Sequence, residues 1–120
     1  MTASIDDVLH DARVILMDTD PDNYRRSTSE LVRLYNSALR EARRLRPDLF
    51  IGQYGVALST QTPSDTTDYT AVNFPLPEWV MPAFASYIAG RAELADDEYA
   101  DDGRSAALLK EFVITLRTDM

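Results

Sequence analysis

Few residues in this chain are equipped for chemistry. The 120 residues include one histidine, His10, and no cysteine, which removes most nucleophile–base pairs and every thiolate metal site. Neither a G-x-S-x-G elbow nor a Walker-type loop occurs, so acyl and phosphoryl transfer lack their usual signatures. Asp18, Asp20 and Asp22 alternate between two helical patterns, as in an EF-hand loop. Counted from Asp18, however, the glycine position holds Asn23 and the bidentate glutamate position holds Ser29. Asp-Pro-Asp-Asn therefore reads as turn chemistry ahead of a helix. Glu93 and Asp97 sit at helical spacing, but two-carboxylate catalysis needs a cleft, and an acid-rich helix end is more simply solvated. Trp79 is expected to anchor packing, with ligand stacking as its second reading. His10, one position beyond an apolar stripe, reads as a surface or boundary residue. No enzymatic activity, metal or cofactor is expected, and function falls to the surfaces.

Those surfaces are unevenly charged. The net charge is -8 with a pI near 4.5, which argues against general nucleic-acid binding, because neutralising phosphates needs a basic surface. Residues 1–23 hold six aspartates against Arg13, and residues 24–47 hold seven arginines against Glu30 and Glu41. Residues 93–102 hold six acids and no base. Blocks of this kind are ordinarily solvated faces. The functional alternative is a basic face on one subunit meeting an acidic face on its neighbour. Arg33, Arg40 and Arg44 would form the first, and Glu93, Asp96, Asp97 and Glu98 would belong to the second.

The elements that must position these residues follow from periodicity. Within Ser27–Pro47, residues Leu31, Leu34, Tyr35, Ala38, Leu39, Ala42 and Leu45 step by three and four, one apolar side of a helix. At about 100° per residue, Arg33, Arg40 and Arg44 fall opposite that stripe. Ser27 with Glu30 reads as a capping box, and Pro47 supplies the stop. This makes 27–47 the expected organising element. A first helix is expected over about 5–17, with Ser4 as N-cap and Asp6 and Asp7 where the helix dipole favours acids. Residues 53–60 and 68–74 alternate around a polar Thr-Gln-Thr-Pro-Ser-Asp-Thr-Thr segment, which predicts a β-hairpin over about 53–74. Further helices are expected over about 78–98 and 104–117, with Gly103 as the break between them. The expected fold is mainly α: one domain over 1–120, a compact bundle of about four helices with a short hairpin inserted between the second and third. No apolar run reaches the roughly 20 residues that span a bilayer. The acidic start is unlike a secretory signal, so a soluble intracellular protein is the simplest expectation.

Three stretches carry a family likeness. They are DARVILMDTD, TSELVRLYNSALREARRLRPDLF with its L-x-x-x-x-N-x-A-x-R-E-x-x-R-x-R-P-D run, and LPEWVMPAFASYIAGRAELADDEYADDGRSAALLKEF with its Y-x-x-x-R-A and D-x-E-Y elements. Together they cover about 80 of the 120 residues, and the sequence resembles the head–tail adaptor (connector) proteins of tailed bacteriophages. The resemblance implies a mostly helical subunit with a β insertion, assembling head-to-tail into a ring, commonly of about twelve copies. Closure of that ring is expected either for the protein alone or only on the portal. The implied partners are the portal protein above and a stopper or tail-completion protein below, with no membrane. DNA would pass through an acidic channel without sequence-specific binding, and the implied location is the virion head–tail interface, with host cytoplasm during assembly. Thr118–Met120 is shorter than an extended C-terminal docking arm, which leaves the portal-facing surface unassigned. The alternative reading is a small acidic regulatory or DNA-mimic protein that blocks a basic partner, and the concentration of arginine on one helix counts against it.

Overall fold

A computed structural model describes residues 4–19, 26–50, 60–65, 67–76, 78–94 and 102–118. Four α-helices carry the fold: α1 (Ile5–Leu16), α2 (Thr28–Leu45), α3 (Met81–Leu94) and α4 (Asp102–Thr118). Short 3-10 turns occupy Pro47–Phe50, Tyr69–Ala71 and Glu78–Val80. The radius of gyration is 14.0 Å, as compact as a globular chain of this length should be.

α1 starts at a full capping box: the Ser4 hydroxyl accepts from Asp7 N (3.2 Å) and the Asp7 carboxylate accepts from Ser4 N (3.0 Å). It ends at Met17, whose backbone is left-handed (φ 56, ψ 44), and the next amide, Asp18 N, donates back to the Arg13 carbonyl at 2.9 Å. α2 forms over the expected span, but its start is half a capping box. Ser27 Oγ accepts from Glu30 N, while the Glu30 carboxylate accepts from Arg26 Nη1 at 3.3 Å. Its buried face contains Leu31, Tyr35, Ala38, Leu39 and Ala42 as read from spacing, and is widened by Val32 and Asn36.

The organising element is α3 rather than α2. Residues 83–90 of α3 are all buried, and this helix packs against α1, α2 and α4 while α1 and α2 touch only sparingly. A helix apolar on every side belongs at the centre of a bundle, and the small residues Ala83, Ala85, Ser86, Ala89 and Gly90 let three neighbours approach it. Phe84 is the hub of an aromatic cluster, with ring centroids 5.2 Å from Phe74, 5.8 Å from Tyr35 and 5.9 Å from Phe112. Pro82 occupies the first turn of α3, where the missing amide costs nothing. Gly103 lies inside the first turn of α4 and not before it.

Among the described residues no strand forms, and the hairpin expected over 53–74 is not seen. Residues 53–59 of its first arm, 53–60, lie outside the described residues. In the second arm the Asp68 carboxylate accepts from Thr70 N at 3.0 Å and from the Thr70 hydroxyl, winding 69–71 into a 3-10 turn. Local side-chain bonding of this type competes with extended pairing and here prevails. What survives is a single antiparallel bridge between Asn73 and Ser4, with Ile5 N donating to the Val72 carbonyl at 2.9 Å. The preceding residues are strapped to α2. Asn36 Nδ2 donates to the Gln61 carbonyl (2.8 Å), Gln61 N donates to Asn36 Oδ1 (2.9 Å), and the Asp65 carboxylate accepts from Ser29 N (2.9 Å) at the helix start.

Candidate interaction surface

The few residues suited to chemistry are dispersed or used by the fold. His10 is exposed at the mouth of a cavity of about 100 Å³ that it shares with Asp6, Leu9, Arg13 and Thr28. Asp18, the first residue of the calcium-like pattern, is buried and paired with the equally buried Arg13 at 3.1 Å, and Asp20 and Asp22 lie outside the described residues. Arg13 Nη1 also donates to the Arg26 carbonyl (2.8 Å), Arg13 Nη2 to Thr28 Oγ1 (3.2 Å), and Arg26 N to Asp18 Oδ2 (3.0 Å). This network ties the end of α1 to the start of α2, and a buried pair holds only when its remaining donors and acceptors are met in this way. Its signal was present in the sequence, since Arg13 stands four residues after Leu9 and three before Leu16, within the apolar stripe.

Trp79 is half-buried against the core, and the Arg46 guanidinium lies 5.8 Å from its ring centre. Arg46 also donates to both carboxylate oxygens of Asp48 (2.9 and 2.8 Å) and to the Leu116 carbonyl. It thereby satisfies a carbonyl in the last turn of α4, where such groups lack an intrahelical donor and where the dipole favours a cation. Asp48 sits below the usual carboxylate range, chiefly because of its side-chain hydrogen bonds from Arg46. Tyr35 is fully buried, its hydroxyl has no hydrogen-bond partner among the described residues, and burial pushes its ionisation upward. Among the described residues no group of three acids or histidines able to hold a metal occurs, and no helix there is long and apolar enough to cross a membrane.

The basic face of α2 is real in three dimensions. Arg33, Arg40 and Arg44 are all exposed, on the side away from the buried stripe. Arg44 also holds Glu41 at 2.8 Å, a surface pair of small energetic weight. Arg26, Arg43 and Arg46 of this block are half-buried, and Arg25 lies outside the described residues. Of the acidic stretch, Glu93 is half-buried near the end of α3, while Asp96, Asp97 and Glu98 lie outside the described residues. Beside the basic face a groove of about 260 Å³ opens among α2, α3 and α4, lined by Tyr87, Leu109, Phe112 and Val113 with Glu41 and Arg91. Arg91 Nε donates to the Tyr87 hydroxyl (3.2 Å), and the Tyr87 and Phe112 rings pack at a tilt of 53° with centroids 4.8 Å apart. Periodicity alone did not disclose this groove, because its walls come from three helices. The arrangement offers cations, aromatic surface and an apolar cleft, the components from which interaction surfaces are built.

No family model, no curated protein and no solved structure matches this chain.

Proposed function

We propose that the protein is a structural subunit that acts through its surfaces, as a head–tail connector that forms a ring beneath a phage portal and joins it to tail-completion proteins. The observation that carries this reading is the exposed row Arg33, Arg40 and Arg44 on α2, backed by buried Leu31, Tyr35, Ala38, Leu39 and Ala42. A rigid helix displaying like charges in register is a surface prepared for an acidic mate. In a ring each subunit needs two different complementary faces, and the acidic stretch containing Glu93, Asp96, Asp97 and Glu98 is the proposed second face. The formal charge of -8 suits a channel wall past which DNA must slide, since cationic walls would hold phosphates. The proposed location is the virion head–tail junction.

The test is co-expression with the portal protein of the same genome, followed by mass measurement of the purified assembly. Wild-type chains are expected to co-purify with the portal in several copies, with occupancy falling as salt rises. Reversing all three arginines to glutamate should abolish it. Unchanged occupancy and unchanged salt sensitivity in that variant would overturn the reading.

A further inference from the structure

Three large apolar side chains are exposed among the described residues, Ile114 on α4 and two at the end of α1, and the α1 pair lies away from the cleft that could receive it. Val14 and Met17 stand at the end of α1, 53% and 80% exposed. The Tyr87–Leu109–Phe112–Val113 groove lies among α2, α3 and α4. Met17 is the more informative, because its left-handed backbone (φ 56) is a position where glycine or asparagine would be cheaper. Its side chain is largely exposed there, and its flexible thioether adapts well to an irregular cleft.

Charge divides the same way. On the outer side of α1, exposed Asp7 and Asp11 stand four residues apart, in line with Val14. On α2, Arg33, Arg40 and Arg44 share the exposed side, and the Arg44–Glu41 pair joins that row to the groove rim. At about 1.5 Å per residue, Asp7 and Asp11 lie roughly 6 Å apart along α1 and Arg33 and Arg40 roughly 10 Å apart along α2. The two rows oppose in charge, and each has its apolar feature toward its C-terminal end.

We propose that a second copy of this chain lays its α1 along α2 of the first, seating Met17 and Val14 in the groove and setting Asp7 and Asp11 against Arg33 and Arg40. This rests on the reading of the chain as a self-assembling subunit and gives the arginines the neighbour's α1 as their mate in place of the 93–98 stretch. Projection and cleft are different surfaces, so the contact is heterologous and copies add in series until a ring closes. One short helix face buries less than the roughly 1,200 Å² of a stable pairwise complex. The contact is therefore weak for two copies and persists only in a closed or portal-templated ring.

Native mass measurement and sedimentation of the full chain, alone and on the portal, test this at low and high salt. Met17→Asn should leave the melting temperature unchanged or raised, because asparagine tolerates the left-handed backbone, yet weaken association about tenfold or more. Asp11→Arg and Arg40→Glu, both at exposed positions, should each weaken association, and the double variant should recover it. An equimolar mixture of Met17→Asn with Arg40→Glu should form no ring, since each variant keeps only one working surface. If wild type associates and Met17→Asn and Asp11→Arg associate equally well, this docking is wrong while the subunit reading stands. Loss of association in Asp96→Lys would then give the role to the 93–98 stretch. A wild type that is monomeric both alone and with the portal overturns docking and subunit reading together.

Discussion

Arg13 and Asp18 set how α1 leads into α2, and they do so as charges withdrawn from water. Removing one member strands the other, so Arg13→Met should destabilise the fold by about 3–5 kcal/mol in urea unfolding. Asp18→Asn should cost less, because an amide oxygen still accepts from Arg26 N at the 3.0 Å site. Asn36 is a second residue whose polarity is structural. Asn36→Leu would leave both the amide and the carbonyl of Gln61 without their partners, a loss of about 1–3 kcal/mol in the same experiment. Asp48 supplies a pH signature. Its ionisation is lowered in the fold by Arg46, so its contribution is present above the ordinary carboxylate value near pH 4 and lost as pH falls through the lower folded value. Asp48→Asn should therefore be less stable than wild type at pH 7, the difference closing toward pH 2 in paired urea titrations. Of these roles only the charged block was legible in the sequence. Spacing shows that Arg13 lies in an apolar stripe, but not which acid reaches it, because that acid belongs to the following turn.

At the scale of elements, the helices were readable because their apolar steps and caps are local. Ser4, Ser27, Pro47 and the stripe from Leu31 to Leu45 place α1 and α2 within a residue or two of where they form. The hierarchy among helices was less readable. α2 has the sharper two-faced pattern, and a sharply two-faced helix belongs at the surface of a bundle with one side in. α3, apolar all round, is the one that three others cover. Phe84→Ala should accordingly be among the most damaging changes, about 3–5 kcal/mol, read from the shift in urea midpoint. The hairpin reading failed over 68–74 because alternation of Thr70, Val72 and Phe74 takes no account of Asp68, whose carboxylate winds the backbone locally. Met17→Gly should act the opposite way to the core changes, stabilising by about 0.5–1 kcal/mol through relief of the left-handed cost. A lowered melting temperature for that variant would show that Met17 already packs within the subunit.

For the whole molecule, composition pointed to work done by surfaces, and the fold adds where those surfaces are. The basic row was visible from periodicity, since residues at i, i+7 and i+11 share a helix side whatever the tertiary structure. The groove beside it was not, because Glu41, Arg91 and Val113 meet only after three helices have packed. A chain with arginines gathered on one helix and acids elsewhere should associate through charge, and such association weakens with ionic strength. The direct measurement is the native mass of the portal ring of the same genome, purified with this chain at low salt. A portal carrying several copies, lost when Arg33, Arg40 and Arg44 are reversed to glutamate, is the predicted result. A portal that stays bare at low salt, or one that binds the reversed chain as well as the native one, would contradict it.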